Sequence, residues 1–396
     1  MISFPGSKRT FLPYTFIFTG FLFFNTIFNG STKTNNLLHL AILFFIFHVI
    51  VNKKAVYDLR TNPVLIRGLL LVAAFLFYFT LSNLWSADPG NITATLTHSI
   101  YILFYITMTA MVLSSPDRKT ILGLIILGFS VVFTWLLISN FQVILHRGPV
   151  TNHNPTAENV IDLSGLACIA LILSISLYQE TKNKLLFPCM VLFIFFILLT
   201  QSRGPFLSLI IAYVIGKGLP GLTRKNIAIS LAIIILSVIF IETTELGTLI
   251  RLRAEEAYTQ SFLRFSIWKH SLELFSGHYL IGNGFSYQLH FINYSGEHIH
   301  TTHSLYIGTL LKGGIIGGGL LLSLLIYSLN IALKTLKQGY HCGAILMIFS
   351  MLFYTTQGMF VIGNPQEFWY LFWFPVGYAL SSSPLSSPDN GVIRRR

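Results

Sequence analysis

Three side chains far apart in the chain, Arg203, Arg264 and His303, have the types that phosphate and hydroxyl chemistry needs. A guanidinium is a planar fork that grips phosphate oxygens in pairs and stays charged at neutral pH. An imidazole can take a proton from a hydroxyl. Together they suit a reaction in which a phosphate-bearing group departs and an alcohol attacks.

Arg203 lies in Gln201-Ser202-Arg203-Gly204-Pro205, between two apolar runs with almost no loop. Pro205 fits the first turn of a helix, where its missing N–H is not needed. The free amides of such a turn, beside a guanidinium, favour an oxyanion and phosphate most of all. The plain alternative is an arginine snorkelling at a membrane edge. Arg264 precedes Trp268 by one turn, in a stretch where Tyr258, Phe262, Phe265, Trp268, Leu272 and Phe275 recur at spacings of three and four. That period predicts an amphipathic helix lying on the membrane surface or on a helical bundle. On it the Arg264 and Trp268 pair reads equally as a cation–π contact.

His303 closes the run His298-Ile299-His300-Thr301-Thr302-His303-Ser304 and precedes a glycine-rich segment that includes Lys312-Gly313-Gly314. Residues 303–333 would form a helix of about 45 Å at 1.5 Å per residue, longer than one membrane crossing needs. A break at Gly313 and Gly314 is therefore expected. It leaves 303–312 as a half-helix that Thr301 or Thr302 can cap, with His303 at the positive end, where the dipole keeps a ring nitrogen free to accept a proton. A purely structural histidine stays open as a reading. A metal site is not expected, because the three histidines lack helical ligand spacing and no Cys or Asp is near to complete a set.

The elements that must position these residues are membrane helices. The chain is 53% hydrophobic and only 10% charged, with 35 phenylalanines and a mean hydropathy of +0.68. A water-soluble domain could not bury that much apolar surface, and apolar runs near 20 residues long recur along almost the whole length. The short alternating segments of a barrel are missing. An all-α polytopic membrane protein of about 12 transmembrane helices is predicted, at roughly 11–28, 37–51, 64–82, 96–113, 120–139, 159–178, 185–200, 204–217, 226–242, 314–333, 342–362 and 367–381. The first run is too long for a signal-peptide core and lacks a cleavage site, so it reads as a retained span. No internal repeat is evident. Cys168, Cys189 and Cys342 all fall in apolar runs and offer no disulfide framework.

Basic residues set the orientation. Lys8, Arg9, Lys53, Lys54, Arg60, Arg67, Arg118, Lys119, Lys182, Lys184, Lys217, Arg224, Lys225, Lys334, Lys337 and Arg394 to Arg396 fall to one side of the predicted spans, against Lys33, Arg147 and Arg203 on the other. The positive-inside rule then puts both termini in the cytoplasm and the three chemical residues outside. The organisation is 1–242 with nine spans, 243–313 as one long periplasmic loop containing the amphipathic helix and the half-helix, and 314–396 with three spans and a cytoplasmic tail. The net charge of +12 is mostly topological and gives no reason to expect a nucleic-acid partner. No Asp-x-Asp, P-loop or dinucleotide fingerprint is present, so no cofactor is expected and any group-transfer energy must reside in the donor.

Arg203 in Ser-Arg-Gly at the outer start of a helix, Arg264 followed by Trp268, Ile281-Gly282-Asn283-Gly284-Phe285, and His303-Ser304 ahead of the glycines at 313–319 occur in that order around one long outer loop. This ordered set, over roughly 200–320, resembles the O-antigen ligase and polymerase superfamily. Ser304 stands where that family usually has Asn. The resemblance implies a Gram-negative inner-membrane glycosyltransferase. Such an enzyme moves a finished glycan from undecaprenyl pyrophosphate to lipid A–core at the periplasmic face, without metal, nucleotide sugar or ATP. Arg203 and Arg264 would hold the donor pyrophosphate and His303 would act as base, with inversion at the anomeric carbon because no carboxylate pair is evident for a two-step route. Trp268, Lys312, Arg251, Arg253 and His300 are accessory contacts on this reading, and the segment 140–158, with His146, Arg147, His153 and Asn154, lies on the side of the acceptor. Two alternatives stay open: a polymerase of the same superfamily, or a transporter or lipid flippase. The second would use ionisable residues inside spans, for which Asp162, His39, His48 and His98 are the few candidates.

Overall fold

A computed structural model describes residues 13–52, 61–86, 88, 90–150, 157, 159–217, 243, 245–255, 257–292, 296, 298–336 and 338–381. The described residues of the chain are mostly helical. In order it forms α1 (Pro13–Ile27), α2 (Thr32–Val51), α3 (Pro63–Leu81), α4 (Ile92–Leu113), α5 (Arg118–Ser139), the short α6 (Phe141–Leu145), α7 (Val160–Thr181), α8 (Leu186–Leu199), α9 (Arg203–Lys217), α10 (Glu245–Glu255), α11 (Ala257–Ser276), α12 (Leu305–Leu336), α13 (Cys342–Phe353) and α14 (Phe374–Ser381). A two-residue hairpin pairs β1 (Phe291–Ile292) with β2 (His298–Ile299), antiparallel.

Among the described residues six helices are long and apolar enough to cross a membrane, and α8 and α13 are shorter apolar helices. The predicted span at 226–242 lies outside the described residues. Helix starts follow local chemistry. Asn62 accepts from the Leu65 amide ahead of Pro63, Asn91 accepts from Ala94, and Asn159 accepts from Ile161, each satisfying an amide that has no partner inside its helix.

Helix α7 is the centre of the bundle, with Leu163 through Leu173 all buried. The last turns of the chain are also enclosed, where Trp369, Tyr370 and Trp373 are buried and Trp369 meets Tyr105 at 4.6 Å. Peripheral helices instead leave large apolar side chains such as Phe47, Ile50, Phe77 and Ile138 exposed. In water so much apolar surface would drive association, and a lipid surround removes that cost.

The predicted break in the long glycine-rich helix is present. Gly314 has φ 63° and ψ −163° inside α12. Residues 279–284 enter the gap: the Ile315 and Ile316 amides donate to the carbonyls of Tyr279 and Leu280, while Leu311 and Lys312 carbonyls accept from the amides of Asn283 and Gly284. Helical rungs are thus exchanged for bonds to the loop, leaving no orphan amide or carbonyl in those positions. A Cβ on Gly314 would sit 2.3 Å from the Leu280 oxygen, and one on Gly282 would sit 2.4 Å from the Lys312 carbonyl carbon. The Ile-Gly-Asn-Gly stretch is therefore a structural joint with the glycines of α12.

Two sequence expectations need correction. The span predicted at 342–362 is helical only to Phe353; beyond it the Tyr354 carbonyl accepts from the Leu305 amide and Gln357 donates to Asp162, so the chain bonds to other helices instead of continuing its own. Residues 354–368 instead run back over the bundle. The aromatic stripe of α11 also divides: Trp268 turns inward beside Ile267, whereas Phe262, Phe265 and Leu272 stay exposed. The inward face is claimed by a small core of Ile267, Leu289, Ile299 and Leu311, leaving the outer face apolar, as suits a helix lying at a membrane surface.

Candidate active site

Arg203 opens α9, and a three-residue turn from α8 presents it. Gln201 in that turn is left-handed at φ 51°, which costs a residue with a Cβ about 1–2 kcal/mol. Its neighbours hold it there. The Gln201 amide group donates to the Leu145 carbonyl at 2.6 Å, and Arg147 donates to the Thr200 carbonyl at 2.6 Å and to the Ser202 hydroxyl at 3.1 Å. Gln201 and Ser202 are both buried, so the turn that aims Arg203 is fixed by the last carbonyl of α6 and by the Arg147 side chain just beyond it.

Beyond this turn lies a cavity of about 310 Å³ lined by Arg147, Arg203 and Arg264, with Ser202, Ser261 and Thr356 beside them and Ile161 and Leu207 as apolar wall. Three guanidinium groups from three separate elements thus face one space, and among the described residues its lining contains no carboxylate. Burial lowers the Arg264 pKa, and the positive charge of Arg203 lowers it further. Like charges held together out of water are costly, and an anion with several oxygens would relieve that cost while filling the guanidinium forks.

His303 does not line this cavity but is tied to its rim by two routes. On the first, the Trp268 indole donates to the Thr302 carbonyl at 2.9 Å, and Trp268 lies one turn, about 6 Å along the helix, from Arg264. On the second, Thr356 lines the cavity, and Gly358, at most about 7 Å further along the chain, presses on His303. A Cβ on Gly358 would stand 2.5 Å from the His303 nitrogen. The same segment accepts the first amide of α12, from Leu305 to the Tyr354 carbonyl at 3.1 Å.

His303 itself is left-handed at φ 49° and partly buried. Thr302 bridges the bend by donating to the Ser304 carbonyl at 2.6 Å. Thr302 is therefore not the expected N-cap of α12, which starts three residues further on at Leu305: its hydroxyl bonds within the bend, donating to the Ser304 carbonyl and accepting from the Ser304 amide at 3.4 Å. Of the four non-glycine residues with positive φ among those described, Arg147, Gln201 and His303 all belong to this region. Backbone strain gathered in one place is a mark of functional sites.

The accessory residues fall elsewhere. The Lys312 ammonium donates to the carbonyls of Phe285 and Tyr287, each at 2.6 Å, so it braces the joint in α12. His300 is exposed on the hairpin side, its ring 6.0 Å from His290 and 6.4 Å from His298. Arg251 is exposed on α10; Arg253 lies in the same helix, with its side chain outside the described residues. Asp162 is 3% exposed in the first turn of α7. It accepts from Gln357 at 2.6 Å, which anchors the segment that joins Thr356 to Gly358.

Thr356, Gln357 and Gly358 were not legible as site residues from sequence, and Arg147 was named there only within the 140–158 segment on the side of the acceptor, not as a brace of the Arg203 turn. Only the position of Arg147 among the few basic residues outside the positive side gave a signal. His153 and Asn154 lie outside the described residues.

Residues 188–322 match the family described as O-antigen ligase, a stretch that contains Arg203, Arg264, His303 and the break at Gly314. The chain is also 26% identical over 351 residues to the O-antigen ligase of Pseudomonas aeruginosa PAO1, covering 85% of this chain and 82% of that protein. In its multi-helix membrane fold and over most of its length, the chain is similar to O-antigen ligases.

Proposed function

We propose that this protein transfers a glycan from undecaprenyl pyrophosphate to a sugar hydroxyl of lipid A–core, in lipopolysaccharide O-antigen assembly. The observation that carries the reading is the meeting of Arg203 and Arg264 at one cavity, with His303 joined to the elements that line it through Thr302 and Gly358. In this scheme the acceptor oxygen forms a bond to the anomeric carbon as the bond from that carbon to the pyrophosphate oxygen breaks. The acceptor proton passes to the His303 imidazole, and the electron pair of the broken bond leaves on the pyrophosphate. Arg203 and Arg264 stabilise that growing charge from fixed positions, where it is worth more than in water. Single displacement inverts the anomeric centre.

The setting belongs to the same proposal: about 12 spans in the inner membrane of a Gram-negative cell, both termini cytoplasmic, and a periplasmic loop spanning 243–313. The exposed Phe262, Phe265 and Leu272 face of α11 suits a helix at the bilayer surface, where a lipid pyrophosphate presents its head. Purified protein supplied with glycan-labelled donor lipid and lipid A–core tests it. Label should move to core without added nucleotide or metal. Label that instead lengthens the lipid-linked glycan would reassign the acceptor, and absence of any transfer would refute the reading.

A further inference from the structure

A second cavity, larger than the arginine-lined one, lies elsewhere in the bundle. A space of about 590 Å³ opens at the other end of the bundle. Its lining includes Glu180, near the end of α7, whereas Ile161 at the start of α7 lines the first cavity. Nineteen residues of helix place the two about 28 Å apart, close to the thickness of a hydrocarbon core. Lys217, the last residue of α9, lines the second cavity, as Arg203, the first, lines the other.

The second cavity offers hydrogen-bond donors whose partners are missing. Arg118 uses one terminal nitrogen for both Glu180 at 2.7 Å and the Tyr378 hydroxyl at 2.8 Å. Its guanidinium has further N–H groups, and none of them has a partner among the described residues. The ion pair with Glu180 consumes one negative charge and fixes the fork. Lys217 has no hydrogen-bond partner among the described residues. His341 commits Nδ1 to the Gly216 carbonyl at 2.8 Å, leaving Nε2 available. Two full cations against one carboxylate, with donors left over, around a space at headgroup depth call for an anion with several acceptor oxygens.

We propose that this cavity is a binding site for a phosphate ester, held by Arg118 and Lys217 with His341 beside them, at the membrane face opposite the arginine-lined cavity. The ester comes from an anionic glycerophospholipid headgroup or from a soluble phosphate ester, and the two sources are separable by experiment. A site there would anchor α5, α7, α9 and α13 to one another through a bound ligand, since each contributes lining residues.

Native mass spectrometry of the full-length protein, with phosphatidylglycerol and phosphatidylcholine supplied in equal amounts, tests the proposal. Phosphatidylglycerol should be retained about tenfold more strongly, the scale of one or two charge-assisted hydrogen bonds. Lys217→Glu should abolish the preference without lowering the unfolding temperature, because Lys217 has no hydrogen-bond partner among the described residues to lose. Lys334→Glu, an exposed charge outside the cavity, should leave the preference unchanged. Displacement of phosphatidylglycerol by millimolar glycerol 3-phosphate would assign the site to soluble esters, and failure of that displacement to the lipid headgroup. Equal retention of the two lipids with no effect of glycerol 3-phosphate, or a preference that survives Lys217→Glu, would overturn the proposal.

Discussion

The Trp268 indole nitrogen donates to the Thr302 carbonyl at 2.9 Å, joining the helix that carries Arg264 to the residue that precedes His303. This hydrogen bond, beside the core in which Ile267 meets Leu311, helps set the spacing of a cation and a base. Trp268→Phe keeps the ring and deletes the donor, leaving a buried carbonyl unsatisfied. The expected cost is about 1–3 kcal/mol, read as roughly tenfold slower transfer with little change in donor binding. Unaltered kinetics would make this bond incidental to the site.

Arg203 should resist conservative replacement. Arg203→Lys retains the charge but loses the fork, so turnover on a lipid pyrophosphate should fall by about two orders of magnitude, the scale of losing one well-placed donor to a developing anion. Steady-state kinetics with a purified donor decides the matter. Full activity of the lysine variant would remove the bidentate contact from the mechanism.

Arg147 is expected to act through Arg203. Its hydrogen bonds to Thr200 and Ser202 hold a strained turn, so Arg147→Gln should weaken donor binding and slow turnover together, whereas Arg147→Lys should partly restore both. Activity that survives Arg147→Gln unchanged would show that the turn holds its shape without it.

The joint in α12 gives a prediction about stability. Gly314→Ala puts a methyl group 2.3 Å from the Leu280 oxygen at a positive φ, so both clash and strain oppose it. A loss of about 2–4 kcal/mol is expected, seen as a lower unfolding midpoint in detergent. Gly319→Ala, where nothing lies within 4 Å, is the control and should be nearly neutral.

The membrane class, most helix positions and the break at Gly314 were legible because each rests on local rules: run length, asparagine caps and the freedom of glycine. Arg203 and Arg264 were readable as a pair because basic residues on the sparsely charged side have no topological reason to be there. What sequence withheld was contact between distant segments. Nothing in Gln357-Gly358 announces that the chain leaves α13 at Phe353 to press on His303, since that path depends on Asp162 in another helix. Lys312 misled for the same reason: its charge suggested phosphate, and only the folded loop at 285–287 reveals two carbonyls waiting for it. The stripe on α11 showed the right period, but period alone cannot tell which half faces a core.

The claim at the centre is that His303 takes the acceptor proton while the arginines hold the departing pyrophosphate. Its most direct test is single-turnover transfer by purified His303→Ala with donor lipid already bound. Donor binding should match that of the parent protein while the transfer rate falls by about 10²–10⁴-fold, the usual worth of a positioned base. Transfer at the parent rate would contradict the account.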